Sequence, residues 1–238
     1  MKTILTIAKR EFSTYFTSPI AYVYLTTFLV LTSWLFLRGF FLLGQAQMRS
    51  FFGIMPWIFL FFVPAVSMSK WSEERRQGTL EILFTLPILD RDIVIAKFFA
   101  GLGLIASALF FTLPLTITVA LLGNLDWGPV IGGYIGLLFL GGTYLAIGLV
   151  ISSLTENQII AFILGVVVCF FFYVVGTPFA TASSGSLLAQ AMRYLGISMH
   201  FSSIGRGVID SRDVIYYLSM IGFFLFVNLQ VLKTKARK

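Results

Sequence analysis

Charge is scarce in this sequence, and so are the residues that most often carry chemistry: 11% of its 238 residues are Asp, Glu, Lys or Arg, with one histidine and one cysteine. An intramembrane hydrolase or transferase needs a nucleophile with a base, or a metal cluster, at reacting distance. His200 and Cys169 stand on different segments, and the acidic residues fall at the boundaries of apolar runs, so no such set assembles. Ser183, Ser184 and Ser186 read as flexible linker rather than nucleophiles. His200 with Met192 and Met199 supplies too few donors for a soft-metal site. The lone Cys169 allows no disulfide within the chain. No G-x-x-x-x-G-K-[ST] phosphate loop occurs, so any nucleotide chemistry must come from another polypeptide. The middles of the apolar runs are nearly free of charge, with Arg38 the closest exception, which argues against a proton-coupled carrier or ion pump.

What fills the sequence instead is hydrocarbon: 58% of residues are hydrophobic, 16% are aromatic, and the mean hydropathy is +0.93. A chain this apolar cannot bury its surface in a water-soluble core of its own size. The runs do not alternate as barrel strands do, and they reach the ~20 residues a helix needs to cross a bilayer. The fold expected is all-α and polytopic, with six transmembrane helices at 20–43, 51–71, 93–122, 130–152, 158–178 and 213–232 in a single membrane-spanning domain covering 1–238. The third run is long enough to tilt or to extend past the bilayer. Breakers separate most of the runs, at Gly44–Ser50, Gly123–Pro129 and Leu154–Asn157, and a longer segment at 179–212 includes a short helix expected over Leu187–Leu195.

Basic residues orient the chain, because cytoplasmic segments hold an excess of Lys and Arg. With the N-terminus inside, Lys2, Lys9, Arg10, Lys70, Arg75, Arg76, Arg91, Lys97, Lys233, Lys235, Arg237 and Lys238 fall on the inner side, against Arg38, Arg49, Arg193, Arg206 and Arg212 outside. Both termini and the segment 72–92 are then cytoplasmic, and 179–212 is extracytoplasmic. The net charge of +7 reads as topology plus attraction of the tail KTKARK to anionic membrane lipid, not as nucleic-acid binding.

Residues 1–17 form neither a span nor a cleavable signal. On a helical wheel Ile4, Leu5, Ala8, Phe12, Tyr15 and Phe16 share one face, which predicts an amphipathic helix in the membrane plane, broken at Ser18-Pro19. Glu11, near the apolar edge, is expected to reach a Lys or Arg or the head groups. The densest charge lies in SEERRQGTLEILFTLPILDRD, 72–92. Lys70 and Trp71 suit the head-group level. Thr79 reads as the cap of a two-turn helix that Pro87 ends, and Asp90 as a cap for the third span, with Asp92 in its first turn. Leu80, Ile82, Leu83, Phe84 and Leu86 suit either lipid or a groove on a cytoplasmic partner, and Glu73 with Arg76 suits an ordinary i,i+3 pair. Gly132 and Gly136 make a G-x-x-x-G that favours close approach of two helices within one subunit.

IAKREFSTYFTSPIAY, the six runs, SEERRQGTLEILFTLP followed by DRDIVIAK, and HFSSIGRGVIDSRDVIYYLS at 200–219 resemble the permease subunit of ABC type-2 transporters. The sequence is most similar to the gliding-motility (Gld) type permease, with the nitrous-oxide-reductase maturation permease NosY as a relative. The resemblance implies a non-enzymatic subunit of a bacterial inner-membrane transporter, working as a homodimer or with a paralogue, and exporting its substrate. No cofactor sits on this chain in such systems; ATP and Mg belong to two copies of an ATP-binding subunit. An auxiliary membrane protein with an extracytoplasmic domain is a further implied partner. By the same resemblance, Glu73, Glu74, Arg75, Arg76, Gly78, Thr79, Glu81 and Leu83 form or orient a coupling contact with the ATPase. Arg206, Asp210, Arg212 and Asp213, where the chain re-enters the membrane, are the candidate outer gate or partner contact. The alternative is a membrane scaffold whose cytoplasmic helix recruits a partner that is not an ATPase.

Overall fold

The computed structural model describes residues 2–43, 45, 47–85, 87–177, 186–208 and 210–236. Among them it is helical throughout, without strands: α1 (Lys2–Thr17), α2 (Pro19–Leu43), α3 (Arg49–Ser67), α4 (Ser69–Arg76), α5 (Thr79–Thr85), α6 (Asp90–Phe110), α7 (Leu113–Leu122), α8 (Trp127–Leu154), α9 (Gln158–Val174), α10 (Ser186–Leu195), α11 (Ile197–Ile204) and α12 (Ser211–Ala236). Five helical stretches are long and apolar enough to cross a membrane, at 19–42, 49–76, 90–122, 127–154 and 211–234. The fifth predicted run, 158–178, forms α9, whose 17 residues rise about 26 Å, slightly under a ~30 Å hydrocarbon core. Residue 178, the Ser183-Ser184-Gly185 linker, Leu86 and the last two residues of the basic tail lie outside the described residues, as do the side chains of Ile82 and Phe84.

Local chemistry sets most boundaries. Ser18-Pro19 separates α1 from α2. The Asp126 carboxylate accepts from Gly128 N at 3.1 Å and caps α8, three residues before the predicted start. Asn157 caps α9 by accepting from Ile159 N and Ile160 N. The long third run is two helices: at Phe111-Thr112 the backbone leaves α geometry, and Pro114, unable to donate, enters at the first turn of α7. Two predicted caps act differently. Thr79 is the first residue of α5 and its hydroxyl donates back to Glu74 O at 3.1 Å, and α6 starts at Asp90 with no side-chain cap.

α8 is the axis of the bundle, with α3, α6, α9, α11 and α12 packed around it. Its glycines let neighbours come close. A Cβ at Gly132 would sit 2.6 Å from the Ile204 carbonyl oxygen and 3.1 Å from Gly207 Cα, while Gly136 faces Phe201 and Ile204. The G-x-x-x-G therefore seats α11 of the same chain. α1 lies along α6, Phe12 over Gly103, and Tyr15 is buried. Leu5, grouped with the apolar face on the helical wheel, points away at 74% exposure, because contact with α6 centres the inner face on Ala8, Phe12 and Tyr15.

Substituting Gly132→Ala is expected to cost about 1–3 kcal/mol, since backbone rather than a side-chain tip must yield. Gly39→Ala on α2, where a Cβ meets nothing within 4 Å, should be neutral or slightly stabilising. Unfolding in detergent, followed by helical ellipticity, compares the two; equal midpoints would contradict the seat for α11.

Candidate functional site

At the end of the bundle where α1, α4 and α6 meet, the buried Lys97 joins three half-buried charges, Glu11, Lys70 and Glu74. Glu11 on α1 lies 3.0 Å from Lys70 Nζ and 3.3 Å from Lys97 Nζ. Lys97, on the second turn of α6, also pairs with Glu74 at 2.5 Å and donates to Lys70 O at 3.3 Å. Its side chain is 3% exposed. The four-residue spacing of Lys70 and Glu74 puts both on one face of α4, aimed at Lys97. Two aromatic rings complete the lining: Lys70 Nζ stands 3.9 Å from the Tyr15 ring centre, and Lys97 Nζ 4.8 Å from that of Trp71. Trp71 is fully buried beneath this cluster. Burial pushes the Glu11 carboxyl up, and the ammonium groups of Lys97 and Lys70 outweigh it, so the net shift is downward.

A second layer ties α4 to α8 and α9. Trp71 N and Ser72 N donate to Ser152 Oγ at 3.1 and 3.2 Å, and Ser152 Oγ donates to Met68 O at 2.8 Å. Arg75 bonds Glu156 at 3.1 Å and the Leu154 carbonyl at 3.3 Å. Glu73 pairs with Arg76 at 2.8 Å, accepts from Gln77 at 2.8 Å, and accepts from Gln158. The expected i,i+3 pair is present, and it is one arm of a larger brace.

Gly78, at φ 68°, makes the corner between α4 and α5 in a conformation that an L side chain adopts at a cost of roughly 1–2 kcal/mol. Past it, Leu80 is buried and Leu83 packs on the core, while Gly78, Thr79 and Glu81 are exposed. The eight residues singled out in 73–83 thus divide. Glu73, Glu74 and Arg75 brace, Leu83, with the neighbouring Leu80, anchors α5 on its own chain, and Arg76, Gly78, Thr79 and Glu81 form the open surface of the corner.

At the opposite end, Arg206, Asp210, Arg212 and Asp213 do not converge. Asp210 is exposed and accepts from Arg212 N at 2.9 Å, starting α12, and the Arg212 side chain is exposed. Asp213 turns inward to His200 Nδ1 at 2.7 Å; the imidazole stacks on Tyr216 at 3.8 Å and its Nε2 meets Tyr194 O at 3.2 Å. Both ring nitrogens of His200 are therefore occupied by protein, and among the described residues no group of three metal-type ligands occurs. Glu11 reaches a basic partner as expected, two of them in fact, whereas Lys97, Ser152, Glu156 and Gln158 are the site residues that sequence reasoning missed. A lysine several residues inside an apolar run, with Lys70-x-x-x-Glu74 nearby, is the one signal that points to them.

Replacing Lys97 by Met removes the ammonium that pairs with Glu74 and one of the two that hold Glu11. Leaving such charges buried should cost about 3–5 kcal/mol. Lys97→Met with Glu74→Gln should recover part of it, read as detergent unfolding midpoints; a single variant as stable as wild type would contradict the burial. The depressed Glu11 carboxyl contributes stability that is fully present above its unfolded value of 4.5 and is lost as pH falls through the lower folded value. The difference in unfolding midpoint between wild type and Glu11→Gln should therefore hold steady from neutral pH to about 5.5 and close on further acidification. A gap that widens in acid would reverse the assignment.

The ends of the bundle are thus distinct, one with a braced polar corner and one with α11 seated on glycine, and the chain between them is all membrane helix. The profile of the family described as ABC-2 family transporter protein matches residues 19–229, from the start of α2 well into α12. A search of curated proteins finds no match to the chain. By the extent of that profile, this multi-pass chain belongs to the ABC-2 transporter family.

Proposed function

We propose that this chain exports a substrate across a bacterial inner membrane, using ATP hydrolysed on a separate subunit that grips the corner between α4 and α5. Membership of the ABC-2 family makes it a permease subunit of an ABC transporter. In this reading α9 also crosses the membrane, as the fifth of six spans, α1 lies along the cytoplasmic surface, both termini are cytoplasmic, and α5 is the coupling helix. Two copies, or this chain and a paralogue, enclose the route, and each engages one ATP-binding subunit carrying ATP and Mg. The resemblance to Gld-type permeases extends the assembly to an auxiliary protein with an extracytoplasmic domain.

The observation that carries the proposal is the rigidity behind an exposed surface. Arg76, Gly78, Thr79 and Glu81 face outward, while the residues before them are bonded to α6, α8 and α9. A nucleotide can shift a conformational equilibrium only through contacts that differ between states, and a corner bonded to three membrane helices passes displacement to all three. A solvated loop with no partner would not need such bracing.

Cys169 is fully buried, so Glu81→Cys creates the one accessible thiol of the chain. A thiol-directed cross-linker at this position should capture the ATPase when the complex is purified from membranes. Glu81→Arg should lower ATP turnover by the complex at least tenfold, a loss of about 1.4 kcal/mol or more, without changing the unfolding midpoint. Undiminished turnover and transport in Glu81→Arg would sink the coupling assignment, and capture of a protein without ATPase activity would favour the scaffold reading.

A further inference from the structure

A cleft of about 400 Å³ opens at the end of the bundle opposite the buried charge cluster, and nothing in the transport reading uses it. One wall is the first two turns of α3, where Arg49, Phe52, Gly53 and Pro56 recur at helical spacing and so share a face. The other is α11 and the turn after it, with Ser198, Phe201, Ser202 and Arg206, and Tyr173 near the end of α9 closes the floor. The volume falls within the range of small-molecule sites, and the walls are mostly aromatic and aliphatic.

Two basic side chains face this apolar space. Arg49 and Arg206, from different elements, stand on its rim with exposed side chains, and neither is ion-paired among the described residues, although acidic partners are found for Arg75, Arg76 and Arg91. Among the described residues no acidic side chain lines the cleft. Gly53 leaves the space open: a Cβ there would meet nothing within 4 Å.

We infer that this cleft between α3 and α11 binds an anionic amphiphile with a phosphate head, the phosphate held between Arg49 and Arg206 and the apolar body lying along Phe52, Pro56, Phe201 and Tyr173. Guanidinium groups match phosphate oxygens in charge and geometry. The cleft is formed within one chain, so binding is independent of the ATPase partner and of the transport direction.

The test uses the full chain in a neutral maltoside detergent, with dodecyl phosphate titrated and stoichiometry read by native mass spectrometry. Saturable binding of one molecule per chain is expected. Arg49→Gln and Arg206→Gln should each weaken it about tenfold or more, the scale of a lost charge-assisted contact. Gly53→Leu, whose Cβ meets nothing within 4 Å and whose side chain takes up space in the cleft, should abolish binding while the unfolding midpoint of the unliganded protein holds. Arg38→Gln, at the same end but outside the cleft, should bind as wild type. Equal weakening by Arg38→Gln, or wild-type affinity in Gly53→Leu, would reduce the effect to surface adsorption and overturn the site. Inorganic phosphate binding as tightly as dodecyl phosphate would overturn the amphiphile. Phospholipid that copurifies with wild type and is absent from Gly53→Leu would identify the bilayer as the source; a cleft purified empty that still takes dodecyl phosphate would identify a free amphiphile.

Discussion

A lysine ammonium with 3% exposure, on a helix otherwise built for lipid, is the constraint around which one end of this protein is organised. Taking such a charge out of water costs several kcal/mol, and only close opposite charges and hydrogen bonds return it. Lys97 finds two carboxylates and one carbonyl, contributed by α1 and α4. None of those elements could shift independently without stranding a charge. The cluster therefore acts less as a source of net stability than as a register mark, fixing where α1 and α4 stand against α6.

That registration explains why a short polar helix such as α4 holds its position at all. Eight residues are too few to be stable by helix formation alone. Lys97 grips α4 from one side through Glu74, and Ser152 grips it from another by accepting from two successive backbone amides and returning its proton to Met68. The amides so satisfied are orphan donors at the start of α4, which in most helices are left to water or to a cap. A serine on a neighbouring helix does here what a local cap does elsewhere.

The contrast between legible and illegible features follows from range. Ser18-Pro19, Asn157 and Gly78 act on the two or three residues beside them, and each is readable as a break, a cap or a corner in the linear sequence. The spacing of Gly132 and Gly136 is equally local, and its reading as a seat within the subunit agrees with the structure. Glu11, Lys70, Glu74 and Lys97 depend on partners up to 86 residues apart, which no periodicity reveals. Hydropathy averaging also conceals Lys97, since one charge in a long apolar window scarcely changes the mean; counting it as an inner-side charge recognised its sign and missed its burial. Asp213 presents the opposite situation. Its neighbours Asp210 and Arg212 are solvated, and proximity in sequence suggested one cluster where the helical turn sends Asp213 inward to His200.

The two ends are joined by one element. α8 rises about 42 Å over its 28 residues, carrying Gly132 against α11 near its start and Ser152 against α4 near its end. Along the way its own glycines lie against side chains of α3, α6 and α12, among them Phe59, Ile105 and Ile221, packed too closely to slide without reseating. A helix fixed in this way at both ends moves as a rod. Displacement of α4 therefore reaches the wall of the cleft through α8 itself, and α3, which holds the opposite wall, is continuous with α4 through Met68. Both sides of the cleft are thus connected to the same corner, one through α8 and the other through α3.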